Sequence, residues 1–137
     1  ERYDDFRLHL QARLVGRDSN AGIQLRTERI PDSNEVIGYQ ADMGQQYWGC
    51  LYDESRRNRI LVQADQDEVA KVLRRDDWNE YVIRCEGRHI QLWVNGLKTV
   101  DYMEAEDGIA AEGLLGLQVH QGPPSRVFYR NIRIREL

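Results

Sequence analysis

The chain alternates apolar and polar residues over most of its length. Phe6, Leu8, Leu10, Ala12 and Leu14 alternate with polar neighbours over residues 3–15, which predicts a half-buried strand. Residues 16–20 read as a turn. Residues 21–29 follow as a second strand, with Ile23 and Leu25 on one side and Gln24 and Arg26 on the other. A loop at residues 31–34 leads into residues 38–44. There Tyr39, Ala41 and Met43 share one face, and Gln40 and Asp42 share the other. Residues 48–52 and 60–62 predict two more strands, around a charged run from Asp53 to Arg59 that reads as a solvated, salt-bridged loop. Residues 66–77 are weakly patterned and suit a short strand or a turn of helix.

From residue 79 the pattern sharpens. Two β-rich runs meet at Glu86-Gly87-Arg88, and Asn95-Gly96 is a tight two-residue turn into residues 97–102. Residues 114–120 form a further strand. Residues 126–137 form a closing one, with Val127, Tyr129, Ile132 and Ile134 inward and a bulge near Asn131 where the alternation breaks. Nine or ten short strands, regular turns and no convincing amphipathic helix predict an all-β, two-sheet antiparallel β-sandwich of jelly-roll type.

The 137 residues suit one domain. A net charge of -4 with no basic stripe argues against a nucleic-acid partner, and no apolar run is long enough for a membrane span. Cys50 and Cys85 lack zinc or redox spacing and read as buried thiols, with a disulfide between them as the alternative.

Candidate chemistry sits on the polar faces of the strands. Gln24 and Arg26, Gln40 and Asp42, Trp93 and Asn95, and Gln118 and His120 all fall on outward positions. If their strands are neighbours, they make one patch with a cation, a carboxylate, an imidazole, amides and an indole. That set suits a sugar, whose ring stacks on an aromatic while its hydroxyls meet amides and charges. Trp48 is a further stacking candidate. Each residue has a plainer reading. His120 is one of three histidines and could equally be structural. Arg26 could pair with Asp42, Trp48 or Trp93 could be core, and Trp78 is expected to plug the core. Asp42 and His120 leave a divalent cation open, but two ligands do not define a metal site. No second acid is evident beside Asp42.

Tyr3-Asp4-Asp5-Phe6-Arg7-Leu8, Asn20-Ala21-Gly22-Ile23-Gln24-Leu25-Arg26, Gly38-Tyr39-Gln40-Ala41-Asp42 and residues 48–57 together resemble the 3-keto-disaccharide hydrolase domain. Trp78-Asn79-Glu80-Tyr81, Trp93-Val94-Asn95-Gly96, Leu117-Gln118-Val119-His120 and Tyr129-Arg130-Asn131-Ile132 extend the likeness along the whole chain. The resemblance implies a concanavalin A-like jelly roll, typically exported by bacteria to the periplasm or cell exterior. It also implies cleavage of 3-keto-glycosides, with His120 or Asp42 removing the C2 proton and Arg26 or a bound cation stabilising the enolate. Many family members carry Tyr-Glu-x-Gln where this chain has Tyr39-Gln40-Ala41-Asp42. The family usually has further early strands ahead of the Tyr3 motif, so residues 1–137 are expected to lack them. The alternative is a non-catalytic carbohydrate-binding module of a larger exported protein, and a purely structural domain is the third reading.

Overall fold

The computed structural model describes residues 1–16 and 18–137; Arg17, within the predicted turn at residues 16–20, lies outside the described residues. The first alternating run becomes β1 (Phe6–Val15), which buries Phe6, Leu8, Leu10, Ala12 and Leu14. β2 (Asn20–Arg29), β3 (Val36–Gly44), β4 (Leu51–Glu54) and β5 (Arg59–Val62) follow. A single helix, α1 (Gln66–Val72), occupies the weakly patterned stretch. The Asp65 carboxylate caps it by accepting from the backbone N–H groups of Asp67 and Glu68, and Val69 is the residue it buries. β6 (Asn79–Glu86), β7 (His89–Val94) and β8 (Leu97–Met103) form two hairpins, and β9 (Leu114–Val119) and β10 (Arg126–Glu136) close the chain. Asn95 and Gly96 both take positive φ, 47° and 83°, as the tight turn between β7 and β8 requires.

Two five-stranded antiparallel sheets result. The first runs β10-β1-β6-β7-β8 and the second β5-β4-β3-β2-β9. Their inner faces close on one core that includes Phe6, Leu10, Ile23, Leu25, Tyr39, Met43, Leu51, Tyr81, Ile83 and Leu92. Cys50 and Cys85 are both buried there as free thiols, as the plainer reading expected. The predicted irregularity in the last strand is present. The β1–β10 register shifts between His9 and Gln11, and Asn131 sits at φ 54°. The shift turns Ile132 outward, so this predicted inward residue is half-exposed.

A second bulge was not legible in the sequence and changes the face of one predicted site residue. The register of β2 breaks between Leu25 and Glu28, and Arg26 takes φ 49°. Beyond Leu25 the alternation slips by one, which sends Arg26 inward. Two glycines make room. A Cβ on Gly113 would lie 2.3 Å from the Arg26 carbonyl carbon, and one on Gly38 would lie 2.9 Å from Thr27 Cα. The Arg26 guanidinium, 3% exposed as a residue, donates to the Asp4 carbonyl at 2.6 and 2.9 Å and to the Gly87 carbonyl at 2.6 Å. It also reaches the Asp5 carboxylate at 3.2 Å. Asp5 in turn accepts from the Gly87 N–H at 2.7 Å. Arg26 therefore ties the second sheet to the β6–β7 turn of the first. It neither pairs with Asp42 nor lines the cavity that holds Asp42.

Arg26→Met keeps much of the volume but leaves buried carbonyls without donors. It is expected to lower stability by about 2–3 kcal/mol, read from the urea midpoint at constant m-value.

Candidate functional site

The outer face of the second sheet is where the polar candidates meet. The antiparallel register sets Gln24 opposite Gln40 and Gly22 opposite Asp42. On the far side of β2, Gly22 faces Gln118 and Gln24 faces Gly116. On the far side of β3, Gln40 faces Tyr52 and Gly38 faces Glu54. A cavity of about 250 Å3 opens on this face, with Asn20, Gln40, Asp42, Tyr52, Glu54 and His120 among its walls.

The residues are held in place by short contacts. Gln40 Nε2 donates to Asp42 Oδ1 at 2.7 Å, and Gln24 Nε2 lies 3.4 Å from Gln40 Oε1. The Gln40 side chain lies across Gly22, where a Cβ would come within 2.7 Å of its Cγ and Cδ. The Tyr81 hydroxyl, coming through the core, donates to the Asp42 carbonyl at 3.1 Å. Asp42 is 6% exposed. Burial pushes its carboxyl up to about 7, against the opposing pull of the Gln40 amide. The Glu54 charge raises it further, and His120 lowers it. The Glu54 carboxyl is itself raised by burial first and by Glu35 next. Burial and the Glu54 and Asp42 charges raise the Tyr52 phenol, so it stays protonated as a donor. His120 follows β9; its backbone N–H donates to the Asn20 carbonyl at 3.0 Å, and its Nδ1 lies 2.5 Å from the Gln121 carbonyl.

The geometry brings together Asp42, His120 and Gln40 and sets Gln24 beside them. Gln118 shares the face, and its Oε1 is buried with no hydrogen-bond partner among the described residues. Four predicted residues lie elsewhere. Arg26 is turned inward by its bulge. Trp93 belongs to β7 of the other sheet, on that sheet's outer face, where Lys98 Nζ sits 5.8 Å from its ring. Asn95, at the β7–β8 turn, donates to the Val72 carbonyl and to Asn79 Oδ1 and accepts from the Glu80 N–H, so it is a structural clamp. Trp48 is buried in the core cluster between β3 and β4. Trp78, expected as a core plug, is only partly buried and stacks under Arg130 at 3.9 Å.

Glu54 is the acid that the charged run concealed. Parity with Tyr52 places it on the outer face, whereas Asp53, one residue earlier, points inward and is fully buried against Arg56 and Arg57. Among the described residues, no three His, Cys, Asp or Glu side chains converge closely enough to hold a metal ion.

The family model described as 3-keto-alpha-glucoside-1,2-lyase-like matches residues 1–135. The chain belongs to this lyase-like family. It is thus a carbohydrate-related domain. No curated protein matches it. Among solved structures, a candidate glycosyl hydrolase from Parabacteroides distasonis aligns with a TM-score of 0.74 at 18% identity, over 100% of this chain and 74% of that one. The carbohydrate-binding module CBM66 from Bacillus subtilis aligns at 0.75 and 11%, over 99% and 78%. The galectin LEC-6 from Caenorhabditis elegans aligns at 0.56 and 17%, over 98% and 84%. At these identities the likeness establishes the sandwich fold of the lyase-like domain.

The raised Asp42 carboxyl has a consequence for stability. Its ordinary value is near 3.8 and its folded value about 7, so between those pH values the folded state binds more proton than the unfolded. Stability therefore falls as pH rises through this window. Asp42→Asn is expected to stabilise the lyase-like domain by about 2–4 kcal/mol at pH 8 and by little at pH 4, measured by urea unfolding at both.

Proposed function

We propose that the domain cleaves 3-keto-glycosides by abstracting the C2 proton. The observation that carries this reading is Asp42, a buried carboxyl poised at about 7, beside Glu54 and His120 in one sugar-facing cavity. A general base works best when its pKa lies near the working pH.

A ketone at C3 acidifies the C2–H bond, because the resulting carbanion delocalises onto oxygen as an enolate. The Asp42 carboxylate takes that proton. The electron pair forms the C1–C2 double bond, the C1–O bond breaks, and the departing oxygen receives a proton. Glu54 and His120, which line the same cavity, are the candidate donors. Water then adds across the double bond to release the free 3-keto sugar. With Arg26 turned away, the Tyr52 hydroxyl and the Asn20 amide are the neutral donors available to the enolate oxygen. Ordinary glycosidases instead place two carboxylates astride the bond, one as a nucleophile or base toward C1. In this reading Asp42 acts at C2, and Glu54 or His120 acts on the leaving oxygen.

The fold shared with CBM66 and the galectin supports sugar binding and supports a second reading, binding without turnover. Export to the periplasm or cell exterior remains part of the proposal on family grounds.

The test is a turnover assay with a 3-keto-α-glucoside. The rate should rise as pH increases through about 7, because Asp42 must be ionised to act. Asp42→Asn should cut kcat by about 10²-fold or more, and Glu54→Gln and His120→Gln by about 10-fold or more. Sugar binding without release in the wild-type protein would establish the module reading instead, and absence of both would sink both readings.

A further inference from the structure

Arginines far apart in sequence stand side by side on the outer face of the first sheet. Strand pairing sets Arg135 of β10 opposite Arg7 of β1, and Arg7 opposite Arg84 of β6. Two residues along, Arg133 stands opposite His9. Neighbouring strands lie about 4.8 Å apart and alternate residues of one strand about 7 Å apart, so the four side chains root within a patch of about 10 by 7 Å. Among the described residues, Arg84 is the one of the four with an ion pair, to the half-exposed Glu86. His9 is taken by Glu80, its Nε2 lying 2.9 Å from Oε2. Beyond Arg84 the row turns neutral and then acidic, because Arg84 faces Gln91 and Gln91 faces Asp101.

Like charges directly opposite one another destabilise a sheet. A plainer reading covers part of the row: cations on an edge strand keep it from pairing with another chain, and β10 is the edge of its sheet. That reading does not reach Arg7 and Arg84. β1 and β6 are paired on both sides, so their outward cations guard no edge. Anions lying over the row would relieve the repulsion. A guanidinium fork takes a carboxylate through two parallel hydrogen bonds. One small anion meets one or two forks, whereas four forks across this patch match anions repeated along a chain. The face favours a glycan over a nucleic acid. Bases stack on open rings, and here Trp78, Phe128 and Trp93 each lie against a cation. The family of the domain is itself carbohydrate-related.

We propose that this row is a docking surface for an acidic polysaccharide, a chain of uronate rings, whose carboxylates are held by Arg7, Arg84, Arg133 and Arg135. The polymer crosses β10, β1 and β6 and stops short of Asp101, whose charge repels it. The surface lies on the opposite side of the sandwich from Asp42, so the docked polymer leaves that cavity open. Docking here requires neither cleavage nor the residues assigned to it.

Affinity electrophoresis through gels containing polygalacturonate tests this without any turnover. The wild-type protein is expected to be retarded, and the retardation to fade as salt rises. Arg7→Gln and Arg135→Gln are each expected to weaken binding by about 5-fold or more. Arg59→Gln, which removes the same charge from β5 of the other sheet, is expected to leave it unchanged. No retardation of the wild type overturns the docking surface. So does equal weakening by all three substitutions, which marks net charge alone, and so does no weakening by Arg7→Gln and Arg135→Gln. Urea unfolding separates docking from a structural role. With repulsion relieved, both variants are expected to be at least as stable as the wild type, and a lowered midpoint in both overturns the proposal. A single-stranded oligonucleotide of matched charge that binds more tightly than polygalacturonate overturns it as well.

Discussion

The register between β2 and β3 is the constraint on which the candidate site depends. Gln24 opposite Gln40 and Gly22 opposite Asp42 follow from it. A slip of one residue would carry Asp42 into a core of Leu25, Tyr39 and Met43, where no partner waits for it. The inner face enforces the register, because Ile23, Leu25, Ala41 and Met43 are all essentially inaccessible to water. The outer face enforces it again through glycine. Gly22 and Gly116 are the positions over which the Gln40 and Gln24 amides lie, and a side chain at either would displace them. Apolar burial on one side of the sheet thus fixes a polar arrangement on the other.

A second device sets the direction of β4. Asp53 is fully buried between Arg56 and Arg57, and Arg57 also binds Glu104. Glu104 accepts the Tyr39 hydroxyl at 2.6 Å, and Arg56 stacks over the Tyr39 ring at 4.7 Å. Burial works against the Glu104 charge, but Arg57, Tyr39 and the Glu106 N–H together hold its carboxyl down at about 2. Breaking one member would strand a buried charge, so the cluster locks the strand's orientation. With Asp53 committed inward, alternation turns Glu54 outward toward Asp42. Two consecutive acids therefore meet opposite fates: one neutralised by arginines, the other left in a cavity that favours its protonated form.

Much of the fold was readable because the alternation is strict wherever a strand has one buried face. The hairpins around Gly87 and Asn95-Gly96 and the irregularity at Asn131 came from local turn chemistry. Asp42, Gln40 and His120 were legible as outward residues, and they meet because β2 lies between β3 and β9. Three things were hidden. Alternation says which residues share a face of one strand but not which sheet the strand joins, so Trp93 and Asn95 were grouped with residues of the opposite layer. The bulge at Arg26 depends on Gly38 and Gly113, which are distant in sequence and reveal their purpose only when the strands pair. Glu54 was masked by the charges that follow it, although counting onward from Tyr52 would have placed it outward.

The two outer faces of the sandwich show why the cavity lies where it does. On the first sheet and its flanking loop, each outward aromatic is covered by a cation: Trp78 by Arg130, Phe128 by Arg13, and Trp93 by Lys98. Such pairs stabilise a surface and occupy the ring faces a sugar would use. On the second sheet the groups buried on the outward side are amides and a carboxyl: Gln24, Gln40 and Asp42. Desolvating a carboxyl without a cationic partner lowers stability, and among the described residues no lysine or arginine lines the cavity to offset that cost. The bulge sends Arg26, the cation nearest in β2, into the sandwich. Asp42 keeps a neutral amide as its closest donor, enough to orient the carboxylate but too weak to cancel the effect of burial. An arginine in that position would have held the carboxyl far below neutrality and left it a feeble base. A neutral amide in place of a cation is therefore what leaves the Asp42 carboxyl raised rather than depressed.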